Sequence, residues 1–172
     1  MRATVEITTN RFLLRELSEQ DITERYLSWL RDADAMRFIT AAAETKRLSD
    51  LRKYVLDRIG RDDILFLGIF DRKNNLHIGN IKYEPVNSEL GYAIMGVLIG
   101  DSTYRGKGVT PEVLHSSAQW LKENRKITQI LLGVSTDNLA GIRAYEKAGF
   151  KMVDTPYIKL PPFGAISMSW KI

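Results

Sequence analysis

The chain has no cysteine and only two histidines. The first absence excludes disulfides, thiolate metal sites and a cysteine nucleophile, and it suits a reducing, cytoplasmic setting. The second leaves little imidazole for metal binding or proton relay. His77 and His115 lie too far apart in the reading to pair, and no grouping has metal-ligand spacing, so no metal is expected. Long hydrophobic runs are missing too. The longest, Ala93–Gly100, is far too short to cross a bilayer, and Met1–Asn10 lacks an apolar stretch of signal-peptide length. Neither membrane insertion nor export is therefore expected. Charge of one sign is also lacking. The 25 basic and 21 acidic residues are interleaved, leaving +4 and no aromatic-studded basic stripe of the kind that binds nucleic acid. A small polyanionic cofactor is an equally good partner for so mild an excess.

What is present fits one domain spanning residues 1–172, long enough to bury a core without staples. Arg11–Leu17 alternates loosely and predicts a strand. Ser18, with Asp21 three residues on, predicts a helix start, and Ile22, Tyr26, Trp29 and Leu30 recur at helical spacing. A second helix is expected over Ser49–Ile59, with Leu51, Tyr54, Val55 and Ile59 on one face and Gly60 ending it. Three strands follow: Ile64–Phe70, Leu76–Tyr83 and Glu89–Ile99, joined by turns at Arg72–Asn75 and Pro85–Ser88. A long helix over Gly108–Asn124, a strand at Gln129–Ser135, a helix at Asn138–Ala148 and strands at Phe150–Val153 and Ala165–Lys171 complete the order. Short turns make consecutive strands antiparallel, whereas the crossover through Gly108–Asn124 makes one pair parallel. The expected fold class is α+β: a mixed, mostly antiparallel sheet of six or seven strands with one parallel pair, flanked by about four helices. Ligands favour the carboxyl ends of such parallel strands.

Between that strand and the long helix lies Tyr104-Arg105-Gly106-Lys107-Gly108-Val109-Thr110. Glycines here let backbone N–H groups converge without obstruction, and the free amides of a first helical turn carry partial positive charge. Such a turn suits a phosphate, with Arg105 and Lys107 adding charge at the rim. A plain glycine turn before a helix is the alternative. The segment is not a Walker A loop, because Gly108 follows Lys107, nor a dinucleotide fingerprint, because Pro111 stands where the third glycine belongs.

Two motifs together carry a resemblance. Arg105-Gly106-Lys107-Gly108-Val109-Thr110 resembles the Arg/Gln-x-x-Gly-x-Gly/Ala loop of the GNAT superfamily of N-acetyltransferases. Asn138-Leu139-Ala140-Gly141-Ile142-Arg143-Ala144-Tyr145-Glu146-Lys147-Ala148-Gly149-Phe150 resembles that superfamily's Asn-x-x-Ser/Ala-x-x-x-Tyr-x-Lys-x-Gly-Phe segment. More weakly, Tyr26–Asp32 and His77–Lys82 look like the RimJ/RimL-type branch, some of whose members acetylate protein N-termini and others amino sugars on nucleotide carriers. Two departures stand out. Thr110 replaces the usual Gly or Ala, and Ile94 stands where RimJ/RimL-like enzymes often carry a glutamate base.

The resemblance implies acetyl-CoA as donor, held in a V-shaped cleft where two parallel strands splay, and direct transfer to a small-molecule or peptide amine. The pantetheine would pair with the backbone of Val97, Leu98 and Ile99. The pyrophosphate would rest on Arg105, Gly106, Lys107, Gly108, Val109 and Thr110. Tyr145 is the candidate general acid toward the departing thiolate, or a packing aromatic of its helix. Asn138 is a candidate for orienting the loop or the cofactor, or a helix cap, and both roles can hold at once. Lys147 is a candidate phosphate contact or a solvated lysine. Asn80 and Glu84 share one strand face by alternation, and Glu84 is a candidate base. Trp29, Asp32 and Asn80 are candidate acceptor-side residues, and the acceptor mouth is expected near Trp29–Phe38, Asp34 included, and Tyr157–Gly164. A homodimer is common among similar proteins. With isoleucine at position 94, a weakly basic acceptor is favoured: a lysine-like amine costs roughly 4.6 kcal/mol to deprotonate at pH 7, an α-amine only about 1.4 kcal/mol. The alternative is a CoA-binding module impaired in catalysis.

Overall fold

The computed structural model describes residues 4–32 and 45–172, so the expectations at Asp34 and Phe38 lie outside the described residues. Strands β1 (Glu6–Thr8) and β2 (Phe12–Glu16) come first, then helices α1 (Glu24–Leu30) and α2 (Leu48–Leu56). Strands β3 (Leu65–Asp71), β4 (His77–Asn87) and β5 (Tyr92–Ile99) precede α3 (Val109–Arg125), β6 (Gln129–Ser135), α4 (Leu139–Ala148), β7 (Lys151–Met152) and β8 (Ala165–Lys171). All eight strands form one sheet in the order β1-β2-β3-β4-β5-β6-β8-β7. Among the described residues only β5 and β6 are parallel neighbours. The mixed, mostly antiparallel α+β architecture is the expected one.

Three local expectations are corrected. The sheet has eight strands rather than six or seven, because Glu6–Thr8 pairs with β2. Ser18 caps only a short 3₁₀ turn at Glu19–Asp21. Helix α1 begins later, where the Thr23 side chain accepts from the Tyr26 amide. Strand β4 does not stop before Pro85 but runs to Asn87, with its register shifting between Tyr83 and Val86. A bulge tolerates proline because the residue there owes no ladder hydrogen bond.

The sheet separates two apolar clusters. Under α3, Ile81, Tyr83, Val109, Val113, Leu114, Ala118 and Leu121 meet Ile130, Leu132 and Phe150. Helix α3 presents Val109, Val113, Leu114, Ala118 and Leu121 at i, i+4, i+5, i+9 and i+12, which places them on one stripe. On the other face, Tyr26, Leu27, Trp29 and Leu30 of α1 pack with Leu51 and Val55 of α2 and with Phe66 and Phe70 of β3. The period of two along β4 divides its side chains accordingly. Ile81 and Tyr83 enter the first cluster, whereas Lys82 reaches Tyr54 of α2 on the opposite face.

Candidate active site

Parallel pairing between β5 and β6 lasts three residues: Tyr92 opposes Gln129, Ala93 opposes Ile130, and Ile94 opposes Leu131. Beyond that point β5 stays with β4 as far as Ile99, and β6 stays with β8 as far as Ser135. The two strands therefore part from Met95 and Leu132 onward and leave a cleft. Backbone direction alternates along β5. The Gly91 carbonyl accepts from Thr128 and Gln129 on the β6 side, and the Gly100 amide donates to the Ile78 carbonyl on the β4 side. By that alternation the backbone groups of Val97 and Ile99 face the cleft and those of Leu98 face β4. The Ile99 carbonyl already accepts a 2.9 Å bond from Arg105 Nε, so Arg105 is engaged at the strand end.

The glycine-rich turn follows directly. Gly106 and Gly108 have φ of +69° and +71°. A side chain at Gly106 would meet nothing within 4 Å, so what demands glycine there is the left-handed backbone rather than lack of room. Gly108 is the residue before α3, and no side chain among the described residues caps the helix. Pro111 in the first turn has no N–H, which leaves the amides of Gly108, Val109 and Thr110 as the free donors at this end. Val109 is buried and anchors the turn to the core.

The residue that sets the turn's orientation had no signal in its neighbourhood of sequence. Arg11, between β1 and β2, donates from Nη1 to the Lys107 carbonyl at 3.0 Å and from Nη2 to the Gly108 carbonyl at 3.1 Å. Its Nε and its backbone amide each bond Glu112 on α3 at 2.7 Å, and Glu112 also accepts from the Thr9 hydroxyl. Burial works to raise the Glu112 carboxyl, but the bonds from Arg11 and Thr9 outweigh it and hold the group below its usual range. In a trans peptide the carbonyl and the following N–H point opposite ways. With both carbonyls drawn to Arg11, the amides of Gly108 and Val109 are turned outward from it as a pair, an arrangement that can receive an anion.

Helix α4 starts just past the free end of β6. Asn138 is its cap: Oδ1 accepts from the Gly141 amide at 3.0 Å. A side chain at Gly141 would come within 2.6 Å of Asn138 Nδ2. Tyr145 lies half-buried against Phe150, with ring centroids 5.7 Å apart. Burial raises its phenol above the ordinary value, so the proton stays on at neutral pH. Lys147 is exposed in the last turn.

On the face of α1 and α2, the bulge in β4 sets Glu84 and Pro85 opposite Ile94. Glu84 thus supplies a carboxylate beside the position where Ile94 has none. It is heavily engaged, however, accepting from Lys82 Nζ at 2.7 Å and Arg58 Nε at 2.9 Å. Burial works to raise its carboxyl, yet those two cations win and hold it below its usual range. A carboxylate so held is a weak proton acceptor. Asn80 is buried, with Oδ1 2.9 Å from the His77 ring and Nδ2 the one buried side-chain polar atom without a partner among the described residues. Trp29 is buried against Tyr26 and His77. Asp32 lies just past α1, at the border of the described residues. In the late loop, Tyr157 stacks on Tyr92 at 4.2 Å, and Ile158 and Leu160 lie over Gly133 of β6. The loop therefore reaches the splayed pair, whereas His115 packs near Trp170 and stays apart from His77.

Comparison with known proteins agrees with this geometry. The chain is 26% identical over 114 residues to the probable N-acetyltransferase YjcK of Bacillus subtilis, a stretch covering 66% of this chain and 60% of that protein. Among solved structures it resembles a GNAT-family acetyltransferase from Bacillus anthracis, with a TM-score of 0.80, 18% identity, and 97% and 98% of the two chains covered. It also resembles RimL, a ribosomal alpha-N-protein acetyltransferase in complex with coenzyme A, with a TM-score of 0.83, 15% identity and 98% of each chain covered. Residues 11–151, most of the chain, match the acetyltransferase (GNAT) domain, and the chain belongs to that family.

Proposed function

We propose that the protein transfers an acetyl group from acetyl-CoA directly to a primary amine, with a protein N-terminus or an amino sugar as the favoured acceptor. One observation carries the reading. The cleft that opens where β5 and β6 part at Ile94 and Leu131 leads to a turn whose paired amides face away from Arg11. Pantetheine pairs with the outward backbone of Val97 in that cleft, and the pyrophosphate rests on the amides from Gly106 to Thr110. The thioester then lies between the strands, and Tyr145, which keeps its proton, hydrogen-bonds the departing thiolate.

The acceptor follows from the base that is missing. Ile94 cannot take a proton, and Glu84 is held ionised by Lys82 and Arg58. An amine that is already substantially neutral suits such a site, because an α-amine costs about 1.4 kcal/mol to deprotonate at pH 7 against about 4.6 kcal/mol for a lysine-like one. The acceptor enters beside the late loop, past Tyr157. The test is a screen of N-terminal peptides, nucleotide amino sugars, polyamines and aminoglycosides, read by released thiol. Preference for peptides or amino sugars is expected. Preference for polyamines or free lysine overturns the acceptor assignment, and no turnover with any amine while coenzyme A still binds overturns catalysis in favour of a CoA-binding module.

A further inference from the structure

We propose that Arg11 is a positioning residue for the diphosphate: its guanidinium, braced by Glu112, grips the carbonyls of Lys107 and Gly108 and so aims the Gly108 and Val109 amides at the phosphate oxygens. The inference rests on the reading of the turn as a pyrophosphate site and adds a residue some hundred positions away from it in sequence. Five hydrogen bonds define the device. Two join Arg11 to the carbonyls of the turn, two join Arg11 to Glu112, and one joins Thr9 to Glu112.

Physical reasoning gives the grip its purpose. The left-handed glycines Gly106 and Gly108, separated by Lys107, cost backbone freedom and leave the peptides on either side of Gly108 able to flip, since glycine occupies either hand of φ with similar ease. A flipped peptide would present a carbonyl oxygen to a phosphate and repel it. Pro111 removes one donor from the first turn, so each remaining amide matters more. Arg11 fixes both peptides at once because its planar fork offers donors in a rigid spacing, which an ammonium cannot reproduce. Glu112 occupies the Nε edge and leaves the two terminal nitrogens for the turn. Because Arg11 acts from the carbonyl side, its effect on the phosphate passes through the peptides.

The test compares the dissociation constants of coenzyme A and of pantetheine, which ends before the pyrophosphate, by calorimetry and by NMR titration. The wild-type protein is expected to favour coenzyme A strongly, with the Gly108 and Val109 amide resonances shifting on binding. Absence of that preference in the wild type overturns the pyrophosphate reading itself. Given the preference, Arg11→Ala and Arg11→Lys are each expected to reduce the ratio of the two constants by about 10- to 100-fold, the scale of lost charge-assisted hydrogen bonds. Arg11→Lys keeps a cation and the backbone bond to Glu112, so it also serves if Arg11→Ala does not fold. A full wild-type ratio in Arg11→Lys overturns the proposal, because charge alone then suffices. Glu112→Gln, which retains an acceptor for Thr9 but loses the charge facing Arg11, is expected to reduce the ratio a few-fold, and an unchanged ratio there argues against the brace.

Discussion

The indole of Trp29 occupies the space that a side chain at Gly100 would need: a Cβ at Gly100 would stand 2.0 Å from Trp29 Cδ2. Helix α1 is thereby seated on the residue that follows β5, at the open end of the cleft. Arg25 of the same helix reinforces the contact by pairing with Asp101 at 2.7 Å. The φ of Gly100 is not left-handed, so the requirement for glycine is steric. Gly100→Ala should therefore cost about 1–3 kcal/mol, the scale of overpacking in a filled site. In a Trp29→Leu background the same change should cost less than about 1 kcal/mol, because the obstructing ring is gone. Urea unfolding of the four proteins of this cycle measures the coupling. Equal costs in both backgrounds would contradict the contact.

His77 gives the stability a pH dependence of known sign. Its ring is enclosed by Phe70, Tyr26 and Trp29, and burial depresses its pKa below the ordinary value, against the raising effect of the bond to Asn80. The folded state therefore resists a proton that the unfolded chain accepts. Stability is full above about pH 6.5 and declines as pH falls below it, by at most about 1.4 kcal/mol per pH unit for one proton. The carboxylates with depressed pKa values, such as Asp21 at about 2, act only at lower pH, with their stabilisation lost below about pH 4. Chemical denaturation at pH 7.5 and 5.5 should show the decline, and His77→Gln should flatten it. A wild-type protein equally stable at both values would refute the buried neutral imidazole.

Much of the fold is legible in the chain because long elements carry redundant signals. The stripe from Val109 to Leu121 and the parallel crossover through α3 both follow from periodicity and connection length. Short elements do not carry such signals. Three residues of β1 are too few for a period, and Ser18 and Thr23 are both competent caps, so only packing decides that α1 starts at Glu24. The turn before α3 is readable from its glycines, since the left-handed backbone limits the residue choice. Its orienting partner Arg11 is not, because nothing near Arg11 in sequence marks a bond to carbonyls on the far side of β3, β4 and β5. Likewise Glu84 reads as an available carboxylate until the fold brings Arg58 beside it.

That engagement of Glu84 makes a kinetic prediction. If the acceptor reaches the site with its own amine neutral, the alkaline rise of kcat/KM should follow the pKa of the amine used and move when the amine is changed. A carboxylate base would instead impose one acidic limb common to all acceptors. Glu84→Gln should therefore change kcat by less than about 10-fold, below the contribution usual for a general base. It should also lower stability, because Lys82 and Arg58 lose their shared counter-charge. A drop of about 100-fold or more in kcat with an unaltered fold would return Glu84 to the role of base.

Tyr145 faces the converse question, whether a phenol that keeps its proton is used by the reaction. Its pKa is raised by burial, it lies against Phe150, and it sits on α4, the helix that begins just past the end of β6. A thiol leaving group of pKa about 8.5 needs only modest help, so the effect of removing the hydroxyl should fall near the low end of proton-transfer contributions, about 100-fold in kcat. Tyr145→Phe keeps the ring and hence the packing on Phe150. The thermal midpoint and the affinity for coenzyme A should therefore stay close to wild type while kcat falls. The loss should also shrink when the acetyl donor carries a more acidic leaving thiol, because a better leaving group needs less protonation. A Tyr145→Phe enzyme with wild-type kcat would reduce this residue to a packing aromatic. A loss that is the same for every leaving group would assign it to positioning the donor instead.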